Sequence, residues 1–224
     1  MVKSRMDSNS FIKNWYGSNE PTIADKLRNL FKNEREPLAR KAVMAHYRIK
    51  SALSRVRAYI DRLNDRDREL FERAVEALMR KDEVHAKIYV NEVAEIRKVA
   101  RQLLTVEYVL EQASLRLETF VMIGEAFTAV IPVVGVIKEA ANILRGIAPD
   151  VWIDLNMAVN DLSMVMSATG IDLGGEAGIS MSSEAKRIFE EAKIVAEQRM
   201  KEKFPELPSL IASSTEANTV PQTP

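Results

Sequence analysis

An all-α protein, a long antiparallel helical hairpin followed by shorter helices, is predicted by three features of the sequence. After Pro37 the next glycine or proline is Gly124, which leaves 86 residues without a helix breaker and favours long helices over sheet. Two successive runs set apolar side chains at alternating steps of three and four residues, the spacing of a coiled-coil seam. The runs are separated only by the polar Lys81-Asp82-Glu83, where a hairpin turn is expected.

The elements follow in order. Residues 1–36 form a leader with short amphipathic helices: Phe11, Ile12, Trp15 and Tyr16 fall on one side of a helical turn beside Lys13, and Ile23, Leu27, Leu30 and Phe31 recur at helical spacing after a Thr22/Asp25 capping pair. The stretch from Met1 to Ser10 has no apolar core and does not read as a secretory signal. Pro37 suits a first helical position. From there the seam runs Ala42, Ala45, Ile49, Ala52, Val56, Tyr59 and Leu63, and the same phase reaches Leu70 and Ala77. One helix from Pro37 to about Arg80 is expected, roughly 65 Å long at 1.5 Å per residue.

A second seam reads Tyr89, Ile96, Val99, Leu103, Val106, Leu110, Ala113, Leu117 and Phe120, closing a hairpin over 37–118. Leu104, Tyr108, Val109 and Leu115 lie off that seam. One partner helix cannot cover so much apolar surface, so later segments or other copies of the chain are expected to. Residues 120–137 match a membrane span in length alone; Glu125, Pro132 and two glycines interrupt them, and short buried helices are expected instead. Pro149 opens a further amphipathic helix with Val151, Trp152, Leu155, Val159, Leu162 and Val165 inside and Asp150, Asp154 and Asp161 outside, ending at Gly170. Residues 170–183, with four glycines, among them Gly174, Gly175 and Gly178, read as a flexible linker. A charged helix over 184–203 precedes a tail, 204–224, rich in serine and threonine and expected to be disordered.

Charge is balanced at 32 cations and 32 anions, but unevenly spread. Residues 1–63 carry 14 cations against 6 anions, residues 64–118 carry 10 against 12, and residues 119–224 carry 8 against 14. The two ends should attract each other, and the first should attract an anionic surface. Between Leu38 and Ile60 stand Arg40, Lys41, Arg48, Lys50, Arg55 and Arg57 with no carboxylate. They are candidates for membrane contact, each contributing about 1 kcal/mol at most near an anionic leaflet. The aromatic leader side chains Phe11, Ile12, Trp15 and Tyr16 could insert at a lipid interface or latch onto the hairpin. The plain alternative for the cations is pairing with acidic segments of the same or a neighbouring molecule. Nucleic acid is not expected, because no recognised motif accompanies the charge.

Catalytic signals are lacking. There is no cysteine, which suits a reducing interior and leaves out thiolate chemistry. The two histidines, His46 and His85, have no acidic neighbours at metal-ligand spacing, and no phosphate loop, zinc-protease helix or serine elbow occurs. No cofactor, no metal and no enzymatic activity are expected. The adjacent Glu190 and Glu191 point apart on a helix and cannot share a site.

The order of segments resembles the Snf7/ESCRT-III family, its archaeal CdvB branch above all, over 37–170. The resemblance is carried by Arg66-Asp67-Arg68-Glu69-Leu70-Phe71-Glu72, by the stretch from Ala86 to Lys98 (AKIYVNEVAEIRK) and by that from Leu110 to Thr119 (LEQASLRLET). It implies an ESCRT-III core over 37–169, elongated or open in polymer form, that polymerises with itself and with paralogous subunits to constrict or sever membrane necks. An MIT-domain AAA+ ATPase, CdvC-like, would remodel the polymer, so the protein would be cytoplasmic and peripheral to the membrane at a division or budding neck. Phe204, Pro205, Leu207, Pro208 and Leu210 resemble a proline-containing MIT-interacting motif, with the prolines holding it extended. Only 14 residues follow Leu210, as in shorter family members without a winged-helix domain. The resemblance also implies that helix 184–203 folds back and covers the assembly surface, for which Leu104, Tyr108, Val109 and Leu115 are the candidates. A static cytoplasmic helical scaffold that binds partner helices without lipid is the competing function.

Overall fold

The computed structural model describes residues 38–123, 127–168 and 182–204. Five helices make up these segments: α1 Leu38–Met79, α2 Glu83–Ile123, α3 Phe127–Leu144, α4 Pro149–Ala168 and α5 Ser183–Lys203. No strand occurs among the described residues. Helix α1, 42 residues long, extends for roughly 63 Å. The polar stretch 64–68 does not interrupt it, since the seam phase continues through to Leu70 and Ala77, both buried.

The hairpin turn occupies 80–82, one residue earlier than the sequence suggests. Helix α1 ends in a Schellman motif: the Asp82 N–H donates to the Ala77 carbonyl and the Lys81 N–H to the Leu78 carbonyl, both at 2.9 Å. Lys81 takes the left-handed conformation, φ 59°, which glycine usually fills. Asp82 then caps α2, its Oδ1 accepting from the His85 N–H at 3.2 Å. That contact, with the His85 ring at 2.7 Å, holds the Asp82 carboxyl below its ordinary pKa.

The chain divides into two compact units: Met1–Arg55 with Val109–Glu190, and Val56–Tyr108 with Glu191–Pro224. In the second unit α1 and α2 run antiparallel, as Arg57 meets Glu107 and Asp67 meets Arg97. The expected α2 seam needs correction here. Ala86, Val90, Val93 and Ala100 are the buried positions, whereas Tyr89, Ile96 and Val99 are half-buried at the edge. Small residues on the facing side allow close approach, and the Tyr89 ring packs beside Ala74 and Val90. From Leu103 to Phe120 the expected seam positions are buried.

In the first unit α3 and α4 pack on each other. Val130, Pro132 and Val133 to Ile137 are buried, so this part of the apolar run belongs to the core; among the described residues no helix is long and apolar enough to cross a membrane. Pro149 stands at the first position of α4, with Asp150 in its first turn, where a carboxylate favours the helix dipole. The helix is described to Ala168, Gly170 lies outside the described residues, and Trp152 is half-buried. Ser182 caps α5, its Oγ accepting from the Ala185 N–H at 3.1 Å.

Candidate functional site

The cation row of α1 meets carboxylates of its own chain. In the first unit Arg48 pairs with Asp161, and Arg55 with Asp154 and with Asp150, the last at 3.1 Å. Lys50 Nζ is 3.9 Å from Glu118 and remains 55% exposed. In the second unit the Arg57 Nε donates to Glu107 at 2.9 Å. Arg40 is exposed and Lys41 half-buried. The acids of α4, expected to face solvent, thus lie against arginines: the side chain of Asp161 is only 20% exposed. Phe11, Ile12, Trp15 and Tyr16 lie outside the described residues.

Helix α5 lies along α2 within the second unit. The Tyr108 hydroxyl donates to Glu191 at 2.6 Å, Arg101 pairs with Glu197 at 2.5 Å, and Lys203 reaches Asp61 at 3.7 Å. Rising numbers on α5 meet falling numbers on α2, so the helices are antiparallel. Glu107, buried, is flanked by two cations: Arg57, and Arg199, whose Nη1 stands 2.9 Å from Oε2 as an ion pair without hydrogen-bond alignment. The Arg199 guanidinium also lies 6.0 Å from the centre of the Tyr108 ring, within cation–π range. Beneath these polar contacts α5 buries Ala192, Ala196 and Met200, a mostly small apolar stripe. In the first unit Arg116 donates to Glu184 at 2.6 Å.

Of the off-seam residues of α2, Leu104 and Val109 are fully buried, Tyr108 is half-buried, and Leu115 is 59% exposed. Phe204 is buried at the end of α5, its N–H donating to the Met200 carbonyl at 2.8 Å. Pro205, Leu207, Pro208 and Leu210 lie outside the described residues. His46 is half-buried and shares a hydrogen bond with the Ser114 hydroxyl at 3.2 Å; burial and then Lys50 lower its pKa, against an opposing pull from Glu118. His85 is exposed on the hairpin turn. Among the described residues no group of three or more metal-ligating side chains is assembled.

Sequence reasoning did not single out the buried Asp67, held by Arg97 through two bonds of 2.7 and 2.9 Å, or the clamp on Glu107. A charged residue beside a seam position was the available signal. It does not distinguish a rim residue from one turned inward.

A long helical hairpin, two shorter helices and a charged last helix, in this order, match the ESCRT-III class. The chain is 45% identical over 206 residues to Cell division protein B1 of Sulfolobus acidocaldarius, covering 91% of this chain and 92% of that protein. It is 29% identical over 189 residues to Cell division protein B of the same organism, covering 82% and 72%. No family profile and no solved structure matches it. The chain belongs to the CdvB family of ESCRT-III-type cell-division proteins.

Proposed function

We propose that the chain is a non-catalytic subunit that polymerises on membranes to constrict or sever necks in cell division or vesicle budding, with an MIT-domain AAA+ ATPase remodelling the polymer. The carrying observation is the docking of α5 on α2 through ion pairs over a stripe of small residues. Such a contact is salt-sensitive and modest in strength, which suits a helix that leaves its seat. Its release would bare the α2 surface around Leu104 and Tyr108 for neighbouring copies, this chain or its paralogues, and would free Phe204 to join Pro205, Leu207, Pro208 and Leu210 in an extended motif for the ATPase. Membrane contact falls to Arg40, Lys41, Arg48, Lys50, Arg55 and Arg57, aided by Phe11, Ile12, Trp15 and Tyr16.

Co-sedimentation with anionic liposomes tests this. Deleting everything after Gly170 is expected to raise pelleting severalfold. Unchanged pelleting would remove α5 as a restraint, and a truncated chain that neither assembles nor binds vesicles would end the proposal. One observation favours a second reading, a helical scaffold that works without lipid: Arg48, Arg55 and Arg57 already have carboxylate partners. Such a scaffold would show no vesicle binding, and light scattering at rising concentration would find a closed, finite species.

A further inference from the structure

Helix α4 is apolar on two opposite faces. One, including Leu155, Leu162 and Val165, is buried in the first unit. On the other, Ile153, Met157 and Met164 are 47%, 47% and 54% exposed, and with the exposed Asn160 they step by four, three and four residues, which is one continuous helical stripe. An exposed apolar stripe opposite a buried face marks a surface for a partner.

Helix α1 shows the same division. Ala45, Ile49 and Ala52 are buried, while Val43, Met44 and Tyr47 are 47%, 39% and 67% exposed and lead into Ser51 and Ser54. At 100° per residue, Arg48 and Arg55 lie between the buried and the outer side of α1, and Asp154 and Asp161 hold the corresponding edge of α4. Since these edges are joined by ion pairs, the two outer stripes lie side by side on one surface, with a charged row between them. The α1 half has only cations over 38–55, and α4 has three carboxylates and no cation.

We infer that this surface is closed by a second copy of the chain, related by a two-fold axis parallel to the helices. That rotation lays α1 of each copy on α4 of the other, basic against acidic, twice over. A two-fold across the helices would instead set α1 on α1, with cations facing cations. The ion pairs fix the levels, because Arg48 stands beside Asp161 and Arg55 beside Asp150 and Asp154. Met44 is therefore level with Met164, and the small Ser51 with Met157, so that a large side chain of one copy meets a small one of the other. The contact joins closed chains and does not depend on polymer formation or on lipid.

The absence of native cysteine gives a direct test on the full chain. Ser51→Cys and Met157→Cys chains, mixed and treated with a thiol oxidant, are expected to yield a disulfide-linked heterodimer, whereas Ser51→Cys alone stays uncoupled. In sedimentation equilibrium Met157→Glu is expected to weaken the dimer at least about tenfold, with thermal unfolding unchanged at dilutions where both chains are monomeric, because the site is exposed. The inference is overturned if the native chain stays monomeric to roughly 100 μM, a weak-interface range, if Ser51→Cys couples to itself as fast as the mixture does, or if Met157→Glu abolishes vesicle binding of a monomer.

Discussion

Two sets of arginine–carboxylate pairs, close in chemistry, behave as different devices because they differ in exposure. Asp67 and Arg97 are joined by two bonds within the hairpin, with side chains 3% and 15% exposed. Arg48 and Arg55 meet the α4 acids at an outer edge, with side chains between 20% and 49% exposed. In the buried pair each charge has given up water for one partner, so removing either leaves an uncompensated ion. At the edge water competes with each partner and salt screens both. The buried pair fixes register; the edge pairs hold a surface together loosely enough to exchange partners.

This contrast is open to measurement. Asp67→Ala is expected to destabilise the fold by about 3 kcal/mol in chemical denaturation; a loss below about 1 kcal/mol would erase the distinction. Glu107, on α2, is buried between two arginines, one of which, Arg199, belongs to the docked α5. Glu107→Gln should cost about 2 kcal/mol and speed amide hydrogen exchange over 191–204 more than over 86–100. Uniform acceleration would show that α5 does not move as a separate piece. At the edge, Asp154→Asn and Asp161→Asn should each cost under about 1 kcal/mol, an effect that fades toward 1 M salt.

The smallest effect concerns His46. Its pKa is lowered from an ordinary 6.5 by burial, so the unfolded chain binds the proton more readily. Stability is therefore complete above pH 6.5 and declines as pH falls through the lower folded value. His46→Asn should flatten that decline. A native stability that instead rises on acidification over the same range would contradict the assigned environment.

Much of the fold was legible because helix formation is local. The breaker-free run, the step of three and four, the polar turn at 81–83 and Pro149 each act over a few residues, and they placed the end of α1 and the starts of α2 and α4 to within two residues. The first half of α2 was misjudged for a packing reason: Tyr89 and Ile96 are larger than Ala86 and Ala100, but only the small residues allow the two helices to approach. The inner face of α4 was read correctly at Val151, Leu155, Val159, Leu162 and Val165, but the outer stripe Ile153, Met157, Asn160 and Met164 went unread because the aspartates beside it signal a solvent-facing side.

From the sequence alone came the helical class, the hairpin and the charge gradient, since these depend on spacing and composition along the chain; the family came from the resemblance of particular stretches. Which carboxylate answers which arginine was decided only in three dimensions. Arg48 and Asp161 are 113 residues apart, and Tyr108 and Glu191 are 83 apart. Charges attract at any sequence separation, and only the packed helices bring particular ones within reach.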